Sequence, residues 1–378
     1  MIRIKSVILL FSALSILIFS CNLREQNQVP GEWPDSIPSV RALVETDSMP
    51  QLTGEDAADD PAIWYNRQNP DSSLVFGTDK KGGIAVFNLH GKMVAYHPVG
   101  LPNNADLRYN FPLGTDTIDI LGFSNRTANT VDIYRIYPDG NLENLLNTPI
   151  KPGFSAEVYG FCFYRNLKSN DFYALVNSKN GEVEQYRLNG AGGSVTTELL
   201  RTLKLPGQPE GMVADDELDL LYLGEEDAGI WKCEASPESK ALPVLLPSSD
   251  LKNNPNLKAD IEGLAIYYAA GGGYLIASSQ GNYSYAVFDR QGTNEYLGSF
   301  RVTDGTLDGA EETDGLEVIN LPMDSRFPAG MLVVQDGFNK DSTGIDLPQN
   351  FKYIDWRDIA GSFKPALVTD TVHYPLLK

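Results

Sequence analysis

The sequence predicts an all-β chain, a six-bladed β-propeller with about four antiparallel strands per blade. The first observation behind this is a phrase that recurs six times: an acidic or polar residue, then Gly, Pro or Leu, then an apolar β-like run. It reads Asp60-Pro61-Ala62-Ile63-Trp64, Asp106-Leu107-Arg108-Tyr109, Tyr159-Gly160-Phe161-Cys162-Phe163, Glu210-Gly211-Met212-Val213, Glu262-Gly263-Leu264-Ala265-Ile266 and Asp314-Gly315-Leu316-Glu317-Val318. The steps between first residues are 46, 53, 51, 52 and 52. The second observation is a polar cluster later in every repeat: Asp79-Lys80-Lys81, Ser124-Asn125-Arg126, Ser178-Lys179-Asn180, Glu225-Glu226-Asp227, Ser279-Gln280 and Gln335-Asp336. The third is the pattern between them, which is β-branched, aromatic and alternating, as in strands.

Each repeat supports the reading in turn. Segments 74–78 and 83–87 flank the first polar cluster, and 118–121 and 130–134 flank the second. Segments 173–176 with 183–186, 220–223 with 230–232, and 274–277 with 285–288 follow the same plan. Turn signals at Asp139-Gly140, 190–193 and 271–273 fall between strands. The sixth repeat carries an insertion at 338–349, and its later strand is expected at 350–356. No stretch before Trp356 has helical periodicity, and the sequence does not disclose how the ring closes. Equivalent loops of a propeller converge on one end of the central channel, so two rings of polar residues should face a single site.

A formal charge of −20 argues against nucleic acid and anionic membrane surfaces as partners. The N-terminus reads as a targeting segment. Arg3 and Lys5 precede an apolar run over 7–19, and Ile18-Phe19-Ser20-Cys21 resembles the lipobox of bacterial lipoproteins. The expected organisation is a signal peptide over 1–21, a polar, Pro-punctuated tether over 22–48, and a propeller over 49–378. Such a protein is extracytoplasmic and anchored by lipid on Cys21, at the outer membrane, the cell surface or in the periplasm. A monomer is expected. Cys162 and Cys233 do not make a disulfide framework, and no cysteine-based phosphatase loop is present.

Two residue sets carry chemistry. Asp56, Asp59 and Asp60 crowd three carboxylates into five positions, and alone they read as a solvated acidic turn. Glu210, Glu225, Glu226, Asp227, Asp260, Glu262, Gln280, Asp308, Asp314, Gln335 and Asp336 repeat that character at the two phases of the repeat. Oxygen donors are abundant while histidines number three. That favours several Ca²⁺ ions over a His-rich zinc or iron site. The second set is basic: Lys80, Lys81, Arg126 and Lys179 occupy the later phase in repeats one to three. One half of the mouth should therefore be basic and the other acidic. A polyanion fits between, touching Lys and Arg directly on one side and metal on the other.

These motifs together, from Asp56-Ala57-Ala58-Asp59-Asp60-Pro61 through Asp79-Lys80-Lys81-Gly82-Gly83, Asn103-Asn104-Ala105-Asp106, Ser124-Asn125-Arg126, Glu157-Val158-Tyr159-Gly160, Glu225-Glu226-Asp227 and Asp260-Ile261-Glu262-Gly263 to Ser278-Ser279-Gln280-Gly281-Asn282, resemble those of β-propeller phytases. The match runs from Asp56 to Trp356. The resemblance implies a six-bladed propeller that hydrolyses phytate and lower inositol phosphates with several Ca²⁺ ions at the channel mouth. It implies that Asp60, Glu210, Asp260 and Glu262 hold the ions bridging to substrate, and that Glu226 helps hold them and positions the attacking water. Lys80, Arg126, Tyr159 and Lys179 would grip phosphate oxygens. Asp59, Gln280, Asp308, Asp314 and Asp336 would complete further calcium sites. Two departures stand out: Asn180 replaces a glutamate common in the family, and Phe338 replaces a polar residue. Two other functions fit a calcium-bearing ring, a surface binding module and a lactonase-type hydrolase. Neither calls for Lys80, Arg126 and Lys179 in phase.

Overall fold

The computed structural model describes residues 37–378. The apolar leader, Cys21 and the first part of the expected tether lie outside the described residues. Six sheets make up the described chain, and their innermost strands contact one another in cyclic order, so the ring closes. Blade one comprises Ala58–Trp64, Leu74–Asp79, Gly83–Asn88 and Met93–His97. Blade two comprises Pro102–Leu113, Asp116–Asn125, Thr130–Ile136 and Leu142–Asn144. Blade three is Val158–Asn166, Asp171–Ser178, Glu182–Asn189 and Thr196–Lys204; blade four is Pro209–Asp215, Leu220–Glu225, Gly229–Glu234 and Val244–Leu245. Blade five is Ile261–Ala269, Gly272–Ser279, Ser284–Asp289 and Tyr296–Val302. Blade six is Leu316–Ile319, Met331–Asp336 and Asn350–Asp355. The six blades agree with the fold class expected from the repeat.

Closure comes from the N-terminal side. Val44–Glu45 pairs antiparallel with Asn350–Asp355 and supplies the outer strand of blade six. Ser39–Val40 adds a parallel fifth strand to blade five through Arg301 and Val302. The segment 37–48 is therefore part of the ring and not tether, and the domain begins earlier than residue 49. Its apolar positions explain why: Val40, Ala42 and Val44 are buried against the outer strands. The expected strand over 350–356 stops one residue short. Asp355 accepts a hydrogen bond from Arg357 N and caps the helix Trp356–Ser362. The Trp356 ring stacks on Tyr267 at a centroid distance of 3.7 Å.

The repeated phrase marks a bulge. The ladder between the first two strands shifts register between Ala58 and Pro61, Pro102 and Ala105, Val158 and Phe161, Pro209 and Met212, and Ile261 and Leu264. A bulge leaves a residue unpaired and re-aims its side chain. The residues so released are Asp59-Asp60, Asn103-Asn104, Tyr159-Gly160, Glu210-Gly211 and Glu262-Gly263. In blade six the ladder begins at Leu316, just after Asp314-Gly315. The structure thus moves two phases: Asp59, not Asp60, matches Glu210 and Glu262, and Asn103 replaces Asp106 in blade two. The glycines are set by crowding, since neighbouring bulges nearly touch. A Cβ at Gly160 would lie 1.8 Å from the carbonyl oxygen of Glu210, and one at Gly211 would lie 2.2 Å from that of Glu262.

Antiparallel pairing brings the second polar cluster back to the same end. Ala58 pairs with Asp79, Pro102 with Asn125, Val158 with Ser178, Pro209 with Glu225 and Ile261 with Ser279. One backbone bond recurs there: Lys80, Arg126, Lys179, Glu226 and Gln280 each donate N–H to the carbonyl of Ala57, Leu101, Glu157, Gln208 and Asp260, respectively. These five side chains are therefore structural equivalents. Met212, Leu264, Tyr268, Leu316, Tyr374 and Leu376 line a cavity between the innermost strands together with the charged Asp60, Asp106, Arg108 and Glu317.

Candidate active site at the channel mouth

The acidic half of the mouth gathers Glu210 and Glu262 from the bulges of blades four and five and Glu226 from the hairpin of blade four. One carboxylate oxygen from each lies within 4.8 Å of the others. Asn103 Nδ2 donates to Glu210 Oε1 at 2.7 Å, and Gln208 Nε2 donates to Glu226 Oε1 at 2.5 Å. Among the described residues, buried Glu262 Oε2 has no hydrogen-bond partner. Glu210 is close enough to Glu226 and Glu262 to raise their proton affinity. Burial pushes Glu226 up to about 7, with Gln208 opposing and Glu210, Asp260 and Asp227 adding. Burial and then Glu210 push Glu262 well above the usual carboxylate range.

Beside this nest lies a second acidic group, around Lys80. Its Nζ is 2.6 Å from Asp314 Oδ2, 2.7 Å from Asp56 Oδ1 and 3.2 Å from Asp59 Oδ1. Gln280 Nε2 donates to Asp314 Oδ1 at 2.7 Å. Asp59 is buried, neither of its carboxylate oxygens accepts a hydrogen bond among the described residues, and burial pushes its carboxyl up to about 6. Burial likewise pushes Asp314 up to about 7 against the pull of Lys80. Asp60 faces the next blade, where its Oδ2 accepts Ala105 N at 3.0 Å.

The basic half follows round the ring. An Arg126 Nη donates to the carbonyl of Lys80 at 3.4 Å, and its buried Nε has no hydrogen-bond partner among the described residues. Lys179 Nζ sits 4.6 Å above the Tyr159 ring and 3.3 Å from Glu157 Oε2. Burial, then Glu210 and Glu262, raise the Tyr159 phenol far above its ordinary range, so it stays a hydrogen-bond donor. Lys81 is out of phase: its side chain is exposed, and only its backbone N–H is used locally, by Asp79 Oδ1. Asn180 bonds the hydroxyls of Ser178 and Ser155. Phe338 packs edge-on against Tyr283 at 6.3 Å.

Most of the residues expected from the sequence therefore meet at one mouth. Asp308 and Asp336 do not join it; they cluster in blade six around Lys352. Asn103 and Gln208 were missed by sequence reasoning. Their signal was adjacency to the bulge, since each lies within two residues of an anchor or occupies one.

A sequence model of the phytase family matches residues 5–375. The chain belongs to the phytase family. It is 46% identical over 329 residues to the 3-phytase of Bacillus subtilis (strain 168), covering 85% of this chain and 84% of that one. A solved Lactobacillus plantarum protein aligns with TM-score 0.46 and 14% identity over 78% of this chain and 87% of that one, too little likeness to argue from. Phytase-family membership makes the chain a hydrolase of phosphate monoesters.

Proposed function

We propose that this mouth hydrolyses phytate and lower inositol phosphates with calcium, by direct attack of water and without a phosphoenzyme. The observation that carries the reading is the nest of Glu210, Glu226 and Glu262, three buried or half-buried carboxylates opposite a half-ring of cations. A hard cation with ligand oxygens at about 2.3–2.6 Å can span that spread. Among the described residues, buried Asp59 Oδ2 and Glu262 Oε2 accept no hydrogen bond, and Asp59 Oδ1 has only the Lys80 ammonium at 3.2 Å, so these oxygens suit such an ion. Glu210, Glu226 and Glu262 would hold it, with Asp59, Asp60, Asp260, Asp314 and Gln280 as further donors. Bound calcium supplies charge neutralisation on the phosphate and a more acidic water.

The rest falls to the chain's own groups. Arg126, Lys179 and the Tyr159 phenol offer donors to the phosphoryl oxygens, where charge accumulates in the transition state. Lys80 joins them once Asp56, Asp59 and Asp314 are satisfied by another cation. Glu226, with its proton affinity near neutrality, orients the attacking water and accepts its proton. The new bond joins water oxygen to phosphorus, the bond from phosphorus to the inositol oxygen breaks, and that oxygen takes up, by way of solvent, the proton that Glu226 accepted. Phosphate release from phytate, compared with a panel of lactones and simple phosphomonoesters with and without Ca²⁺, tests the whole reading. Lactone turnover, or undiminished phytate turnover in EDTA, sinks it.

We further read the N-terminus as a lipid anchor on Cys21, which places the monomeric enzyme outside the cytoplasm. The apolar run and the Ile18-Phe19-Ser20-Cys21 sequence support this. A Cys21→Ala chain should shift from the membrane to the soluble fraction; retention in the membrane fraction counts against it.

A further inference from the structure

Blade six holds an acidic cluster apart from the nest of Glu210, Glu226 and Glu262, and at its centre is a buried lysine. Lys352 lies in the strand Asn350–Asp355 and is fully buried. Its Nζ is 2.8 Å from Glu45 Oε2, donates to Asp308 Oδ1, and lies 3.3 Å from both Asp336 Oδ2 and Asn339 Oδ1. These oxygens come from four separate segments: the N-terminal strand Val44–Glu45, the loop before Asp314, the end of Met331–Asp336, and the 338–349 insertion. Oxygens from separate segments around one centre are how a protein holds a hard cation. Here the centre is an ammonium, whose three N–H groups need acceptors.

Asp336 Oδ2 accepts no hydrogen bond among the described residues and is held only by its ion pair with Lys352, while the other carboxylate oxygens of Asp308 and Asp336 are committed. Asp308 Oδ2 accepts Lys340 N at 2.7 Å, and Asp336 Oδ1 accepts Glu311 N and Phe338 N at 3.2 Å each. A calcium ion drawn to these oxygens would have to sit within a few Å of a covalently tethered positive charge, which is strongly repulsive in a buried setting.

We propose that the Lys352 ammonium is the resident cation of this cluster. Asp308 and Asp336 hold lysine where the resemblance to phytases implies calcium. Through Glu45 the ammonium clasps the N-terminal strand to the last blade, so ring closure does not depend on metal.

The test is a count of tightly held calcium on the full chain after gel filtration, by atomic emission. Asp308→Asn should hold as many ions per chain as the wild type; one ion fewer would overturn the proposal. The count does not depend on catalysis. A wild-type chain that holds no calcium would undo the calcium reading of the mouth while leaving this proposal standing. Lys352→Ala provides a second readout. Its unfolding midpoint in EDTA should fall by several degrees relative to wild type, because three acids then share a buried site without a counter-charge. An unchanged midpoint in EDTA would refute the ammonium's role. If Lys352→Ala does not fold, the calcium count on Asp308→Asn still decides.

Discussion

At the residue scale, the mouth is a balance between carboxylates short of partners and cations placed opposite. Arg126 and Lys80 occupy equivalent hairpin positions, yet Lys80 is tied to three acids while Arg126 keeps a buried Nε without a hydrogen-bond partner among the described residues. Arg126→Ala should lower kcat/KM on phytate by about 10²–10³-fold, as for removal of one preorganised donor. Circular dichroism should show an intact ring, and a near-wild-type rate would remove Arg126 from the phosphate grip. The acids also set a pH dependence. Glu226 and Asp314 are pushed up to about 7 and Asp59 to about 6, chiefly by burial. A carboxyl whose folded value lies above its unfolded one binds more protons when folded. For these three groups, the metal-free protein should gain stability as pH falls from neutrality towards 5, opposite to ordinary acid unfolding. Calcium must displace those protons, so its affinity should weaken over the same range. Calorimetric titration with Ca²⁺ between pH 5 and pH 8 checks this; a flat affinity would contradict it.

At the element scale, the bulge is the device that builds the site. It turns an otherwise paired strand residue into the channel at Asp59, Asn103, Tyr159, Glu210 and Glu262, while the hairpin after the second strand delivers Lys80, Arg126, Lys179, Glu226 and Gln280 beside it. The glycine after the anchor is there because the adjacent blade's carbonyl is already in the way. Gly211→Ala places a methyl 2.2 Å from Glu262 O and must push that bulge aside. It should cost about 1–3 kcal/mol of stability, in the range for overpacking, and reduce phosphate release because Glu262 moves with its carbonyl. Denaturant unfolding read alongside activity tests this; a wild-type midpoint would show that the bulges are not tightly coupled. The phrase was legible in the sequence because spacing and composition repeat. Its exact phase was not: Asp59 and Asp60 are adjacent acids, and only the register of Ala58–Trp64 against Leu74–Asp79 shows which one is released.

At the scale of the whole molecule, the chain carries a net charge of −20, and three of its acids converge on one end of the channel. A ligand that binds the native state alone stabilises it by mass action, by about 2.7 kcal/mol at a hundredfold excess over Kd. EDTA should therefore lower the thermal midpoint as well as abolish activity, and Ca²⁺ should restore both. Activity lost with an unmoved midpoint would mean that calcium acts without adding native-state stability. The strand Val44–Glu45 completes the last blade, so the first and last parts of the domain hold each other, and Lys352 fastens the junction. That junction was not legible in the sequence. A pair of two-residue strands in a polar, proline-bearing stretch looks like tether until the sheet edges they meet are known.

The sequence by itself determined the number of blades, the strand-rich class and the residue types at the mouth, because these depend on periodicity and composition, which are local and countable. Only the tertiary structure decided which acids share a cation. Side chains dozens to hundreds of residues apart meet through ring closure and bulge register, and no spacing along the chain records whether the positive charge among them is a metal, as we propose for the mouth, or the tip of Lys352.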